Sequence, residues 1–316
     1  MGRNDWRILL IDPEPSLIET AIQLGFHAWS LSNVDTDERM AGGSDGRRAA
    51  AGRADRNALR VAIVEAARGN DIEHVLYLGD RPALHHAVEE ALVLLFPRRA
   101  ASLHALQDPL VMRRTLNQAG VSVVNAVRVS SVSVARTWLE SLRHPTVIKT
   151  GPGRGIDVIR DDTALEAWAA GRPSLPCVIE EFLEGPQLIV DTFTHAGMHH
   201  VLGMTGTTLT GGQFVHPAEL AEAAATAARA TVRALLDLTG LESGHVRTHV
   251  VLTPRGPRIA SAQASPVPGP VARLRAAATG QDLGAQILAV LAGRADPHCP
   301  CPPDPRPETF DIGGTP

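Results

Sequence analysis

Lysine is nearly absent from this chain. Of 30 basic side chains among 316 residues, 29 are arginine and one, Lys149, is lysine. Aromatic residues make up only 3%, with a single tyrosine, which leaves few platforms on which nucleic-acid bases could stack. The three cysteines, Cys177, Cys299 and Cys301, are too few for a disulfide framework, and the last two, in CPCPP, are spaced too closely for a zinc pair. No apolar run approaches the length of a membrane span. Excess positive charge is missing as well. The net charge is −4 and the pI about 6.3, so neither nucleic acid nor an anionic membrane is expected as a partner. The N-terminus, MGRNDWRILLID, enters a strand-like run without a small-residue cleavage site, and the chain is expected to be cytoplasmic.

Several catalytic signatures are also missing. After the first strand-like run the chain reads DPEPSLIE where a dinucleotide fold would carry G-x-G-x-x-G, and there is no G-x-S-x-G elbow and no HExxH. What remains is a chain with 44% hydrophobic residues, ample for a sizeable core divided between two domains or three lobes.

The periodicity of the first part alternates strand and helix. RILLID, HAWSL and HVLYLGD read as strands, the stretch to Gly25, ALRVAIVEAARG and RPALHHAVEEALVLLF as helices, and 35–58 as a small, polar loop. This β-α order predicts a parallel sheet with helices on its faces. A helix is expected over 108–119, with Asp108 as N-cap, Pro109 at the first helical position and Gly120 closing it. VSVVNAVRV, TVIK, DVIRD and CVIEEFLEG read as strands, QLIVDTFTHAGMHHVLGMTG as two strands around Ala196-Gly197, 218–238 as a long helix, GHVRTHVVLTPRGPRIASAQAS as a hairpin and 280–292 as a last helix. The proline-rich end is expected to be irregular.

Lys149 ends the predicted strand TVIK and precedes the glycine turn of HPTVIKTGPGRGIDVIRD. Backbone N–H groups in such a turn can surround phosphate oxygens, and a lysine projecting from the preceding strand can add its charge. Arginine is a rigid planar fork, whereas lysine is a point charge on a flexible stem, so keeping lysine only here suggests a narrow site that a point charge must enter; the alternative is a coding bias that removed lysine and left one by chance. The turn by itself is equally consistent with an ordinary hairpin.

The order of segments says more. Asp108 to Gly120, PTVIKTGPGRGIDVIRD, VIEEFLEGPQLIVDTF, FVHPAEL and LTPRGPRI together resemble the ATP-grasp superfamily, in particular its carboxylate–amine (amino-acid) ligases. The resemblance implies an α/β protein: an ATP-grasp fold with an N-terminal Rossmann-like parallel-sheet domain (1–105), a small lobe (106–185), a large lobe (186–294) and a disordered proline-rich tail (295–316). It implies that Lys149 contacts nucleotide phosphates under a loop containing Gly151, Gly153 and Gly155. It further implies that Glu180 lies near the adenine amino group, with the main chain of Glu181, Phe182 and Leu183 lining the base. The cofactor implied is ATP. The partners implied are a small carboxylate and an amine, with a second copy or an intact ligase as protein partner.

This sequence departs from the family pattern at the phosphate and metal positions. Asp108-Pro109 stands where Asp-Lys is usual, Gly185-Pro186-Gln187 where Gly-x-Glu is usual, and Thr207 or a neighbour where a further lysine is expected. Strand alternation puts His245, Arg247, His249 and Val251 on one face and Ser261, Gln263 and Ser265 on one face of the partner strand. His249, Ser261, Gln263 and Ser265 occupy the family's acidic, Glu-x-Asn and arginine positions. Magnesium wants carboxylate oxygen and this face has none, so no metal ligands are assigned. Two readings follow from the resemblance: a ligase working through an acyl phosphate in a biosynthetic pathway, or a catalytically degenerate nucleotide-binding or scaffolding partner. Such ligases often carry a further C-terminal lobe, and the resemblance implies an incomplete acceptor side.

Overall fold

The structure is a computed structural model that describes residues 6–33, 48–51, 56–79, 81–141, 145–150, 156–171, 173–207, 213–264, 270–280, 282–294 and 308–311. The chain forms two compact units, residues 1–100 with 265–316, and residues 101–264.

The first unit begins β1 (Arg7–Ile11), α1 (Pro15–Gln23), β2 (His27–Asn33), β3 (Arg48–Ala51), α2 (Arg56–Gly69), β4 (His74–Tyr77), α3 (Pro82–Leu95) and α4 (Pro97–Gln107), the last crossing into the second unit. Its sheet runs β3-β2-β1-β4, all parallel. Leu9 and Ile11 face a core with Leu59 and Ile63 of α2 and Leu84 and Val88 of α3. Ile8 and Leu10 point the other way by strand alternation and are also fully buried, so the sheet is covered on both faces. Such strands read as unbroken apolar runs, and RILLI does. The segment 35–58 is not wholly loop, because RAAA forms β3 beside β2. One arginine and three alanines carry no apolar periodicity to announce a strand.

The second unit continues with α5 (Pro109–Gln118), β5 (Ala126–Val129), α6 (Val132–Ser141), β6 (Thr146–Lys149), β7 (Ile156–Ile159), α7 (Asp162–Ala170), β8 (Cys177–Glu181), β9 (Gln187–His195), β10 (Met198–Thr207), β11 (Gln213–His216), α8 (Glu222–Leu238), β12 (Gly244–Thr253) and β13 (Gly256–Gln263). As its sequence requires, α5 starts at Pro109 while the Asp108 side chain accepts hydrogen bonds from the Leu110 and Val111 N–H groups. One antiparallel sheet is ordered β5-β8-β6-β7, and its core joins Ile148, Ile159, Cys177 and Ile179 to Ala135 and Leu165 of the covering helices. A second antiparallel sheet contains β13-β12-β9-β10-β11 in that order. Ala225, Ala228, Val232 and Leu235 line the buried stripe of α8 at helical spacing. Two further helices, α9 (Pro270–Thr279) and α10 (Leu283–Leu291), return to the first unit, where α10 packs on α1 and Leu17 closes on Gly284. Residues 270–294, expected in the large lobe, are thus grouped with the N-terminal unit. A short strand at Glu308–Asp311 falls inside the segment expected to be irregular.

Gly185 closes the turn between β8 and β9 with φ +148°, and an added Cβ would lie 2.1 Å from the Leu252 carbonyl oxygen. Gly197 in the β9–β10 turn also has positive φ, but open space surrounds it. Gly185→Ala is therefore expected to lower the unfolding free energy by about 1–3 kcal/mol more than Gly197→Ala does, measured by urea denaturation of each variant.

Candidate functional site

Lys149 is the last residue of β6, and β6 lies directly between β7 and β8. Alternation along so short a central strand turns its side chain to a buried face, and its exposure is 8%. A buried ammonium needs compensation. The Lys149 Nζ donates to Glu180 Oε2 at 2.6 Å and to the Ala260 carbonyl at 2.6 Å. Glu180, on β8, is itself only 2% exposed and receives a fork from Arg113 of α5, Nε to Oε1 at 3.0 Å and Nη2 to Oε2 at 3.1 Å. Arg113 Nη2 also donates to the Ile259 carbonyl at 2.6 Å and Nη1 to the Ser122 carbonyl at 3.1 Å. Burial pushes the Glu180 carboxyl up, but the charges and hydrogen bonds of Lys149 and Arg113 outweigh it and hold the carboxyl below its ordinary range. Burial lowers the Lys149 ammonium from the ordinary lysine value, with Glu180 opposing and Arg113 adding to the fall.

A bulge in the β12–β13 hairpin makes the lysine contact available. Arg247 pairs with Gln263 and His249 with Ser261, then the register shifts so that Val250 meets Ile259 and Ala260 is left over. The extra residue has no cross-strand partner, and its carbonyl turns to the ammonium. The expected shared face of His249 with Ser261 and Arg247 with Gln263 matches this register.

Sequence alternation brought His245, Arg247 and His249 together but missed what they meet. Asp191 of β9 accepts from Arg247 Nε at 2.8 Å and Nη2 at 3.2 Å. His245 Nε2 stands 3.4 Å from Asp191 Oδ1, at the outer edge of hydrogen-bonding distance, so the Arg247 fork is the dominant contact. Burial raises the Asp191 carboxyl, yet His245 and Arg247 together hold it well below the usual carboxylate range. His249 is pushed below its ordinary value, first by burial and then by the Arg247 charge, against the pull of Asp191. Neither pairing could be read from spacing, because each joins residues more than 50 positions apart.

The remaining sequence-assigned positions divide. Gly151, Gly153, Gly155 and Ser265 lie outside the described residues. The Glu180 carboxylate is engaged by Arg113 and Lys149, so both its oxygens are already accepting. The Glu181 N–H donates to the Asn125 carbonyl and the Phe182 N–H to the Pro145 carbonyl. For the Leu183 N–H no acceptor is found among the described residues, which leaves it as the main-chain donor of the three. His199, expected at a surface or edge, turns inward: Nδ1 is 2.7 Å from Thr194 Oγ1 and Nε2 3.1 Å from Asp237. Cys177 is buried and its thiol pushed up, which makes it a poor nucleophile.

The metal implied by the fold can be tested on the donor set. The β12–β13 hairpin, whose Ala260 carbonyl meets Lys149, carries an imidazole, a hydroxyl and an amide at His249, Ser261 and Gln263, none of them anionic. Among the described residues, no group of three or more His, Cys, Asp or Glu side chains is placed to hold a metal ion. These residues do not fit magnesium.

Removing one partner of a buried ion group leaves the others uncompensated. Arg113→Met is expected to destabilise the protein by about 3–5 kcal/mol in denaturant unfolding. Asp191 generates a pH dependence. Its folded pKa is depressed, so its stabilisation is complete above the unfolded value of about 4 and is lost as pH falls through the lower folded value. Asp191→Asn is expected to be less stable at neutral pH and to lose less further stability than the parent between about pH 5 and 2, followed by thermal melts across that range.

No family model and no curated protein sequence matches the chain. Solved structures do. L-amino acid ligase from Bacillus licheniformis is 21% identical with a TM-score of 0.66 over 92% of this chain and 75% of that one. N5-carboxyaminoimidazole synthetase from Staphylococcus aureus is 15% identical, TM-score 0.64, over 93% and 80% respectively. Biotin carboxylase from Campylobacter jejuni, determined with a β,γ-ATP ligand, is 16% identical, TM-score 0.65, over 91% and 71%. At these identities the likeness shows the fold alone: this chain has the ATP-grasp fold, preceded by a Rossmann-like parallel-sheet unit.

Proposed function

We propose that this protein binds an adenine nucleotide in its second unit and acts as an ATP-dependent carboxylate–amine ligase, joining a small amino acid or related carboxylate to an amine. The carrying observation is Lys149: the chain's one lysine, held between β8 and the β13 bulge in a fold shared with an L-amino acid ligase. An ammonium has three donors, and among the described residues two are used, which leaves one to reach a phosphate oxygen. The Leu183 N–H would meet the base edge. In this reading Glu180 acts through Lys149 by fixing its ammonium, and the loop containing Gly151, Gly153 and Gly155 would cover the phosphates. Such a ligase transfers a phosphoryl group to a carboxylate, and the amine then displaces phosphate from the acyl phosphate. The protein's part is position and fixed charge.

A second reading rests on a specific observation, the uncharged His249, Ser261 and Gln263 at the hairpin face. Without anionic ligands to hold a metal there, the fold would serve as a nucleotide-binding partner that does not turn over. Incubation of the protein with ATP, magnesium and a panel of amino acids separates the two: formation of ADP, phosphate and a new amide supports the ligase, and nucleotide binding without products supports the partner.

Lys149→Arg puts a planar fork where a point charge reaches past Glu180, beside the Arg113 guanidinium. It is expected to weaken nucleotide binding by about tenfold or more in calorimetric titration, whereas a lysine that merely ends a strand would leave affinity unchanged.

A further inference from the structure

We infer that the nucleotide at the Lys149 site is held without any divalent cation bound by the protein, through direct contact between phosphate and fixed side-chain charge. The inference rests on the nucleotide-binding reading above and adds what that reading leaves open, the ionic form of the ligand that the site accepts.

The Lys149 ammonium fixes where a phosphate would lie. Its contact to the Ala260 carbonyl brings the β13 bulge alongside; Ser261 follows on that strand, paired with His249 of β12, and Gln263 lies two positions further on, paired with Arg247. A magnesium ion demands near-octahedral oxygen and is bound through carboxylates and phosphates. Ser261 and Gln263 supply neutral oxygens and His249 supplies a nitrogen, whose protonation burial and then the Arg247 charge disfavour, against the pull of Asp191. The two buried carboxylates of the second unit, among the described residues, are committed. Glu180 Oε1 accepts from Arg113 and Oε2 from both Arg113 and Lys149, while Asp191 Oδ1 and Oδ2 each accept from Arg247. Recruiting either one to a metal would strand a buried cation, which costs more than an exposed rearrangement. Three fixed cations, Lys149, Arg113 and Arg247, stand against two carboxylates, Glu180 and Asp191, so the set carries one net positive charge. That balance favours a phosphate oxygen directly and disfavours a bare divalent ion. Any magnesium that enters would be carried by the phosphates alone.

Calorimetric titration of the full chain with ADP, once in EDTA and once in excess magnesium chloride, tests this. The expected result is a Kd that agrees within about twofold between the two buffers; a Kd at least about tenfold tighter with magnesium overturns the inference. Absence of binding in both buffers sinks the nucleotide reading itself, and the inference with it, and is distinguishable from magnesium-dependent binding. A gain-of-function variant gives an independent arm. His249→Glu combined with Ser261→Glu places two carboxylates on the hairpin face, and a thermal melt checks that it folds. It is expected to bind ADP more weakly than the parent in EDTA and to recover affinity when magnesium is added. If its affinity equals the parent's in both buffers, the hairpin face does not neighbour the phosphates and the inference fails.

Discussion

A carboxylate with almost no exposure to water must be compensated where it stands, and in this protein that carboxylate is Glu180. Arg113 and Lys149 share its two oxygens. The cost of taking three charges out of water is offset only because the donors are aimed and the spare N–H groups find carbonyls at Ser122, Ile259 and Ala260. The group therefore binds together four elements distant in sequence, α5, β6, β8 and β13. It also fixes the ammonium that the functional reading depends on. The β13 bulge belongs to the same arrangement, since a regular ladder would have committed the Ala260 carbonyl to a neighbouring strand.

A second charge group follows the same rule one strand away. Asp191 and Arg247 lie opposite each other on β9 and β12, buried and paired through both carboxylate oxygens. Together the two groups hold three cations against two carboxylates, one positive charge in excess. The polar hairpin face is built from a hydroxyl, an amide and an imidazole. The fold is shared with solved structures of an amino acid ligase and a carboxylase, but the donors at the hairpin are chemically different from what a hard divalent ion requires. In the proposed reading, the nucleotide's charge would be met by fixed side chains and not by ligands to a hard divalent ion.

Much of the architecture was legible before any coordinates. Asp108 and Pro109 announced α5, because a capping carboxylate and a proline at the first turn satisfy local geometry whatever surrounds them. Gly197 marked the β9–β10 turn, and Gly256 the hairpin, through positive backbone φ that few other residues tolerate. The stretch RAAA and helix α4 escaped notice because neither has an apolar rhythm of its own; the first is defined by its pairing with β2, and the other carries only Ser102, Leu103 and Leu106 inward.

Sequence by itself determined the local elements, the segment order that resembles the ATP-grasp proteins, the uniqueness of Lys149 and the lack of acidic residues at the hairpin face. All of these depend on residue type and near-neighbour spacing. Only the tertiary structure decided that Lys149 is paired with Glu180, that Arg113 holds Glu180 in place, and that Asp191 is bound to Arg247. Each partner is more than 30 residues away along the chain, and burial, which turns such a proximity into an obligatory ion pair, is a property of the packed whole.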